Sequence, residues 1–153
     1  MSLQPPANLP SELPRNRLTN VMKIRASGRI LLGLALSLAG IGHLSFSREE
    51  FQAQVPSWLP LDADFVVIAS GVVEISLGLA LIFLFKYKKQ IGAATAIFFV
   101  LIFPGNISQY LNGIDAFGLD SDQARLTRLL FQPLLVLWAL WSTSALQLLK
   151  SKR

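Results

Sequence analysis

Five polar side chains stand where an apolar chain has least use for them: His43, Glu74, Asn106, Arg128 and Gln132. Their chemistry is that of a small-molecule site. A carboxyl such as Glu74 can exchange protons, and His43, Arg128 and Gln132 can donate to a carbonyl. A charged group at the depth of Glu74 must face the interior of a bundle and find a partner, and Arg128 and His43 are the candidates. Other chemistries are excluded. The chain has no cysteine, hence no disulfide, Fe–S cluster or Cys-based zinc site, and its single histidine excludes bis-His haem in one protomer. No metal-ligand set is expected.

The spacing around these residues has a purpose. Gly71, Glu74 and Gly78 share one helical face, with Ser70 beside them, and His43 ends a face formed by Gly33, Leu36, Ala39 and Gly40. Small residues let helices approach closely in lipid. His43, Asn106 and Gln132 each lie about 5–6 Å inside the same end of their spans, with Glu74 deeper at roughly 14 Å. Pro104 takes the hydrogen bond from the Val100 carbonyl and predicts a kink beside Asn106. Each residue also has a plainer reading: Glu74 as an interhelical hydrogen bond, His43 as an interfacial residue, Pro104 as a tolerated proline. Trp138 and Trp141 read as mid-helix bulk that packs or faces lipid, with a ligand wall as the lesser alternative.

The elements that carry these groups follow from composition. Of 153 residues, 52% are hydrophobic and 15% charged, and mean hydropathy is +0.50. So little charge cannot cover the surface that so many apolar residues leave, so lipid is the expected solvent. Four apolar stretches, about 28–46, 65–85, 91–110 and 129–149, are near the ~20 residues a spanning helix needs. The first is completed by Arg29, expected to snorkel to the headgroups. The fold class is therefore an all-α membrane protein, a four-transmembrane-helix bundle (residues 23–153) with short interfacial helices in the outer loops.

Charge sets the orientation. Arg15, Arg17, Lys23, Arg25, Arg29, Lys86, Lys88, Lys89, Lys150, Lys152 and Arg153 fall on one side, leaving three arginines and seven acids on the other. The positive-inside rule then predicts a multi-pass protein of the cell membrane with both termini cytoplasmic. The net charge of +5 serves topology; no basic face interleaved with aromatics suggests nucleic acid. Residues 1–22, with four prolines, read as a flexible cytoplasmic tail; a signal peptide is disfavoured for lack of a clean cleavage site. Ser47 and Glu50 predict a capping box for a short helix that Phe51, Val55 and Trp58 press onto the interface, ended by Pro56 and Pro60. Asp120 with Gln123 predicts a start into the fourth span.

In these residues the chain resembles the DoxX family of small four-helix membrane proteins. The resemblance covers about residues 28–149 and rests on motifs in the family's order. They are Gly40-Ile41-Gly42-His43, Val55-Pro56-Ser57-Trp58-Leu59-Pro60, Ser70-Gly71-Val72-Val73-Glu74, Phe103-Pro104-Gly105-Asn106 and Arg128-Leu129-Leu130-Phe131-Gln132. Leu44, Gly105 and Leu130 depart from the usual aromatic, alanine and proline. Some members of that family look like membrane subunits or accessories of oxidoreductases that pass electrons to quinone, while others have no known activity. One open reading is therefore a quinone-linked subunit whose polar cluster, in the outer half of the bundle, holds the quinone headgroup. The other open reading is a non-enzymatic scaffold or small-solute pathway in which Glu74 and Arg128 act as interhelical glue.

Overall fold

The structure is a computed structural model and describes residues 13–150. It is all-helical: α1 (Leu13–Leu44), α2 (Arg48–Gln52), α3 (Ala63–Phe83), α4 (Lys88–Leu111), α5 (Asp122–Thr143) and α6 (Leu146–Lys150), with a 3₁₀ turn at Phe85–Tyr87. Among the described residues, four helices are long and apolar enough to cross a membrane: Arg17–Leu44, Ala63–Phe83, Phe85–Leu111 and Asp122–Thr143. They run up and down, so the termini of the bundle and the lysine-rich turn share one end, here the basic end. The acidic end carries α2 and the loop 112–121.

Two helix pairs make the bundle. α1 packs along α3, and α4 along α5, while contact between the pairs is sparser. Glycines set the first pairing. A Cβ on Gly33 would lie 2.7 Å from the Gly78 carbonyl, and one on Gly40 would lie 2.6 Å from the Gly71 carbonyl. The two crossings are seven residues apart on each helix, so the backbones touch over two turns. In the second pair, Gly92 makes room for the Thr143 side chain. Thr143 and Thr95 are fully buried, and each hydroxyl is satisfied by the carbonyl four residues back. Leu32, Leu36, Leu81, Ala96, Phe98, Phe99 and Ala139 form the core between the pairs. Leu34, Leu38, Val72, Leu79, Ile97, Leu101, Leu134 and Leu137 face outward and exposed, as lipid-facing positions do.

Several expectations are corrected. Helix covers residues 13–22, which were expected to be flexible; residues 1–12 lie outside the described residues. The fourth span is 122–143 rather than 129–149. Ser121, not Asp120, caps α5 by accepting from the Ala124 N–H, and Ser144 stops it with φ +60°. Apolar runs misplace this span because Arg125 and Arg128 lie within the helix, each held there by protein groups. Arg125 bonds to Asp115, Asp122 and the Leu119 carbonyl. The shift places Trp138 and Trp141 near the basic end of α5 instead of its middle. Arg29 does not snorkel; it is buried and donates to the Ile82 carbonyl at the end of α3, where helix carbonyls lack partners.

The acidic end also differs. Of its two loops only the first holds a helix, α2, which ends at Gln52, ahead of Pro56. Ser47 precedes it without a side-chain cap; its N–H donates to the Gly42 carbonyl, and the Glu50 carboxylate accepts from the Phe117 N–H at 2.5 Å. Phe51 turns inward onto the His43 and Phe117 rings. Arg48 forms a two-pronged pair with Asp64, whose carboxylate raises the Arg48 pKa above its ordinary value.

The close helix crossing makes the first testable claim. Gly40→Ala should lower stability in detergent by about 1–3 kcal/mol, the usual cost of overpacking. Gly42→Ala, where a Cβ meets only ordinary contacts near 3.5 Å, should leave the thermal midpoint within error. Equal effects of the two in a thermal unfolding assay would disprove the crossing.

Candidate functional site

Antiparallel packing explains how the two titratable groups meet. The side chains of an α-helix lean toward its N-terminus. In α1 that direction is toward the basic end, and in α3 toward the acidic end. His43 and Glu74, set at different depths, therefore lean toward each other across the glycine crossing. Nδ1 of His43 lies 2.8 Å from Oε2 of Glu74, and both side chains are more than nine-tenths buried. The contact is close but is not aligned as a hydrogen bond, so both atoms keep hydrogen-bonding capacity.

A second polar group ties α4 to α5. Asn106 Nδ2 donates to Gln132 Oε1 at 3.1 Å, and Gln132 Nε2 donates to the Phe99 carbonyl at 2.8 Å. α4 continues through Pro104. The Gln132 amide thus lands one residue before Val100, the carbonyl that Pro104 leaves free. Both ends of the Gln132 amide are occupied by protein.

The third group closes the acidic end. Arg128 donates to Gln54 Oε1 at 3.0 Å, and Gln54 Nε2 donates to Gln109 Oε1 at 3.1 Å. Gln109 then donates to the Ile114 carbonyl. The Arg128 guanidinium sits 4.8 Å from the centre of the Phe117 ring, a cation–π contact. Among the described residues Arg128 has no carboxylate partner, whereas Arg48 and Arg125 are paired. Arg128 therefore does not meet Glu74, and the pairing open in the sequence resolves to His43.

All three groups line one cavity of about 1000 Å³ between the helix pairs. His43, Glu74, Pro104, Asn106, Arg128 and Gln132 all border it, and Leu32, Leu36, Phe98, Phe99 and Leu135 supply apolar wall toward the basic end. Trp138 and Trp141 are not part of it. Leu101, Trp58 and Phe131 border the cavity and are also exposed, so apolar side chains form part of its outer border. Among the described residues no group of three His, Cys, Asp or Glu could hold a metal.

Sequence reasoning missed Gln54 and Gln109. Gln109 carried a signal, standing three residues after Asn106 on the same face of the third span. Gln54 carried none: it lies in a loop, and folding alone brings it to Arg128.

The family described as domain of unknown function (DUF8561) matches residues 32–143, a stretch that contains every residue bordering the cavity, and the chain belongs to it. No curated protein and no solved structure matches the chain.

The geometry predicts which residues couple. Glu74→Gln and His43→Ala should each lower thermal stability, and the double variant should lose less than their sum. Glu74→Gln with Arg128→Gln should be additive within about 0.5 kcal/mol. A thermal-shift double-mutant cycle in detergent checks both. Additivity in the first pair, or coupling in the second, would contradict the assigned partners.

Proposed function

We propose that this member of the DUF8561 family binds a quinone in the cavity and serves as a quinone-linked membrane subunit or accessory of an oxidoreductase. The observation that carries the reading is the buried His43–Glu74 pair bordering a cavity that is otherwise largely apolar. A carbonyl ring with a lipid tail suits such a site: few polar groups orient it, and apolar walls hold the rest. The volume is at the upper end of the ~300–1,000 Å³ usual for ligand pockets, enough for a ring and part of a tail. The exposed apolar border at Leu101, Trp58 and Phe131 supports entry from lipid. The resemblance to DoxX bundles adds to this reading.

The chain's own residues have separable roles. A bound quinone supplies two-electron redox chemistry. Glu74 holds or releases a proton against His43 Nδ1, so the pair can match the charge of its occupant. Gln132 and Asn106, already bonded to each other, fix the distance between α4 and α5. Arg128 keeps donors free beyond its bond to Gln54 and presents positive charge at the acidic end of the cavity. Without cysteine, and with a single histidine, the chain relies on a partner or bound cofactor for electrons.

The same proposal places the chain in the cell membrane with both termini cytoplasmic, on the strength of the charge asymmetry. Cysteines introduced at exposed Ser57 and Asp120 should react with an impermeant thiol reagent on intact cells, and one at exposed Lys86 should not. Labelling only at Lys86 would invert the orientation. No native cysteine interferes.

Purified protein in nanodiscs should bind a ubiquinone analogue saturably. Glu74→Gln and His43→Ala should each weaken binding by at least about 1 kcal/mol, the scale of one buried hydrogen bond. Trp141→Phe, remote from the cavity, should bind as wild type. Absence of saturable binding, or equal binding by all variants, would refute the quinone reading and leave the scaffold.

A further inference from the structure

The basic end is built differently from the acidic end. Residues 13–48, 75–114 and 123–153 contain no Asp or Glu. Among the described residues, the cations of this end therefore have no carboxylate. Arg29 is buried on the Ile82 carbonyl, but Arg25 is only half-buried. Its Nη1 donates to the Ser144 hydroxyl at 3.0 Å, and the guanidinium lies 5.8 Å from the Trp141 ring centre. Nη2 makes no hydrogen bond among the described residues, so a donor and a full charge remain.

An apolar groove lies beside it. Leu134, Leu137, Trp138 and Trp141 share one face of α5 and line an open groove of about 440 Å³. The groove has fixed walls. Trp138 Nε1 donates to the Gly28 carbonyl at 3.1 Å, and a Cβ on Gly28 would come within 3.3 Å of both indoles. Gly28 thus lets both indoles seat against α1, below the Arg25 guanidinium.

We propose that this is a site for one anionic phospholipid, with its phosphodiester on Arg25 and an acyl chain along the groove. Charge selects the occupant. A zwitterionic headgroup brings a cation that finds no acid here, whereas an anionic one neutralises charge that the protein leaves unpaired. A second copy packed symmetrically on this face would set Arg25 against Arg25. The site lies at the opposite end from the His43–Glu74 cavity and does not depend on what that cavity binds.

The chain's three tryptophans provide the test, since Trp58→Phe leaves indoles only beside the groove. In vesicles, acyl-brominated phosphatidylglycerol should quench Trp58→Phe protein with about fivefold higher apparent affinity than brominated phosphatidylcholine, the worth of one basic residue near the surface. Arg25→Gln should abolish the preference, and Arg25→Lys should keep it, showing that charge rather than folding is read. Lys86→Gln should keep it too. Excess inorganic phosphate should leave it intact. Equal quenching by the two lipids, loss in Lys86→Gln as large as in Arg25→Gln, or displacement by phosphate would each overturn the assignment.

Discussion

In lipid, helices gain nothing by hiding apolar surface from one another, so close backbone packing and satisfied polar groups must hold a bundle together. Here that constraint acts most strongly where α1 crosses α3. Gly33 against Gly78 and Gly40 against Gly71 bring two backbones into contact, and the direction of the side chains does the rest. His43 and Glu74 meet because the helices are antiparallel and close. A larger residue at either crossing would separate the pair and open the wall of the cavity beside it.

The cavity follows from packing in pairs. α1 with α3 and α4 with α5 each have small residues at their contact, but the two pairs meet mainly through larger side chains such as Leu36, Phe98 and Phe99. Toward the acidic end the pairs leave space, bordered by polar groups that the protein only partly uses. Gln132 is committed at both ends of its amide, while His43, Glu74 and Arg128 keep capacity in reserve. The ends of the bundle differ in charge as well. The acidic end pairs Arg48 and Arg125 with carboxylates, whereas among the described residues the cations of the basic end meet none.

Much of this was legible in the residues. Period and length gave the first three spans, and the glycine faces around Glu74 and His43 pointed to close packing. Shared depth brought His43, Asn106 and Gln132 to one site, with Arg128 one turn from Gln132. The fourth span was displaced because hydropathy treats Arg125 and Arg128 as an end, although neighbouring loop groups hold Arg125 and the distant Gln54 holds Arg128 inside the helix. The inward turn of Phe51, the use of Glu50 on the Phe117 N–H, and the Gln54–Gln109 chain depend on where the loop 112–121 folds. No local spacing encodes that. Trp138 and Trp141 were read as packing or lipid-facing bulk, which they are, but set too deep for the same reason as the span that carries them.

The account stands on the His43–Glu74 pair and its occupant, and the single histidine makes that directly measurable. In protein labelled with nitrogen-15 histidine, the imidazole resonances report one site only. Adding a ubiquinone analogue to wild type in nanodiscs should move a ring-nitrogen resonance. In Glu74→Gln that resonance should start from a different position and respond much less. Resonances that are the same in both proteins, and unmoved by the analogue, would contradict the pair and its role.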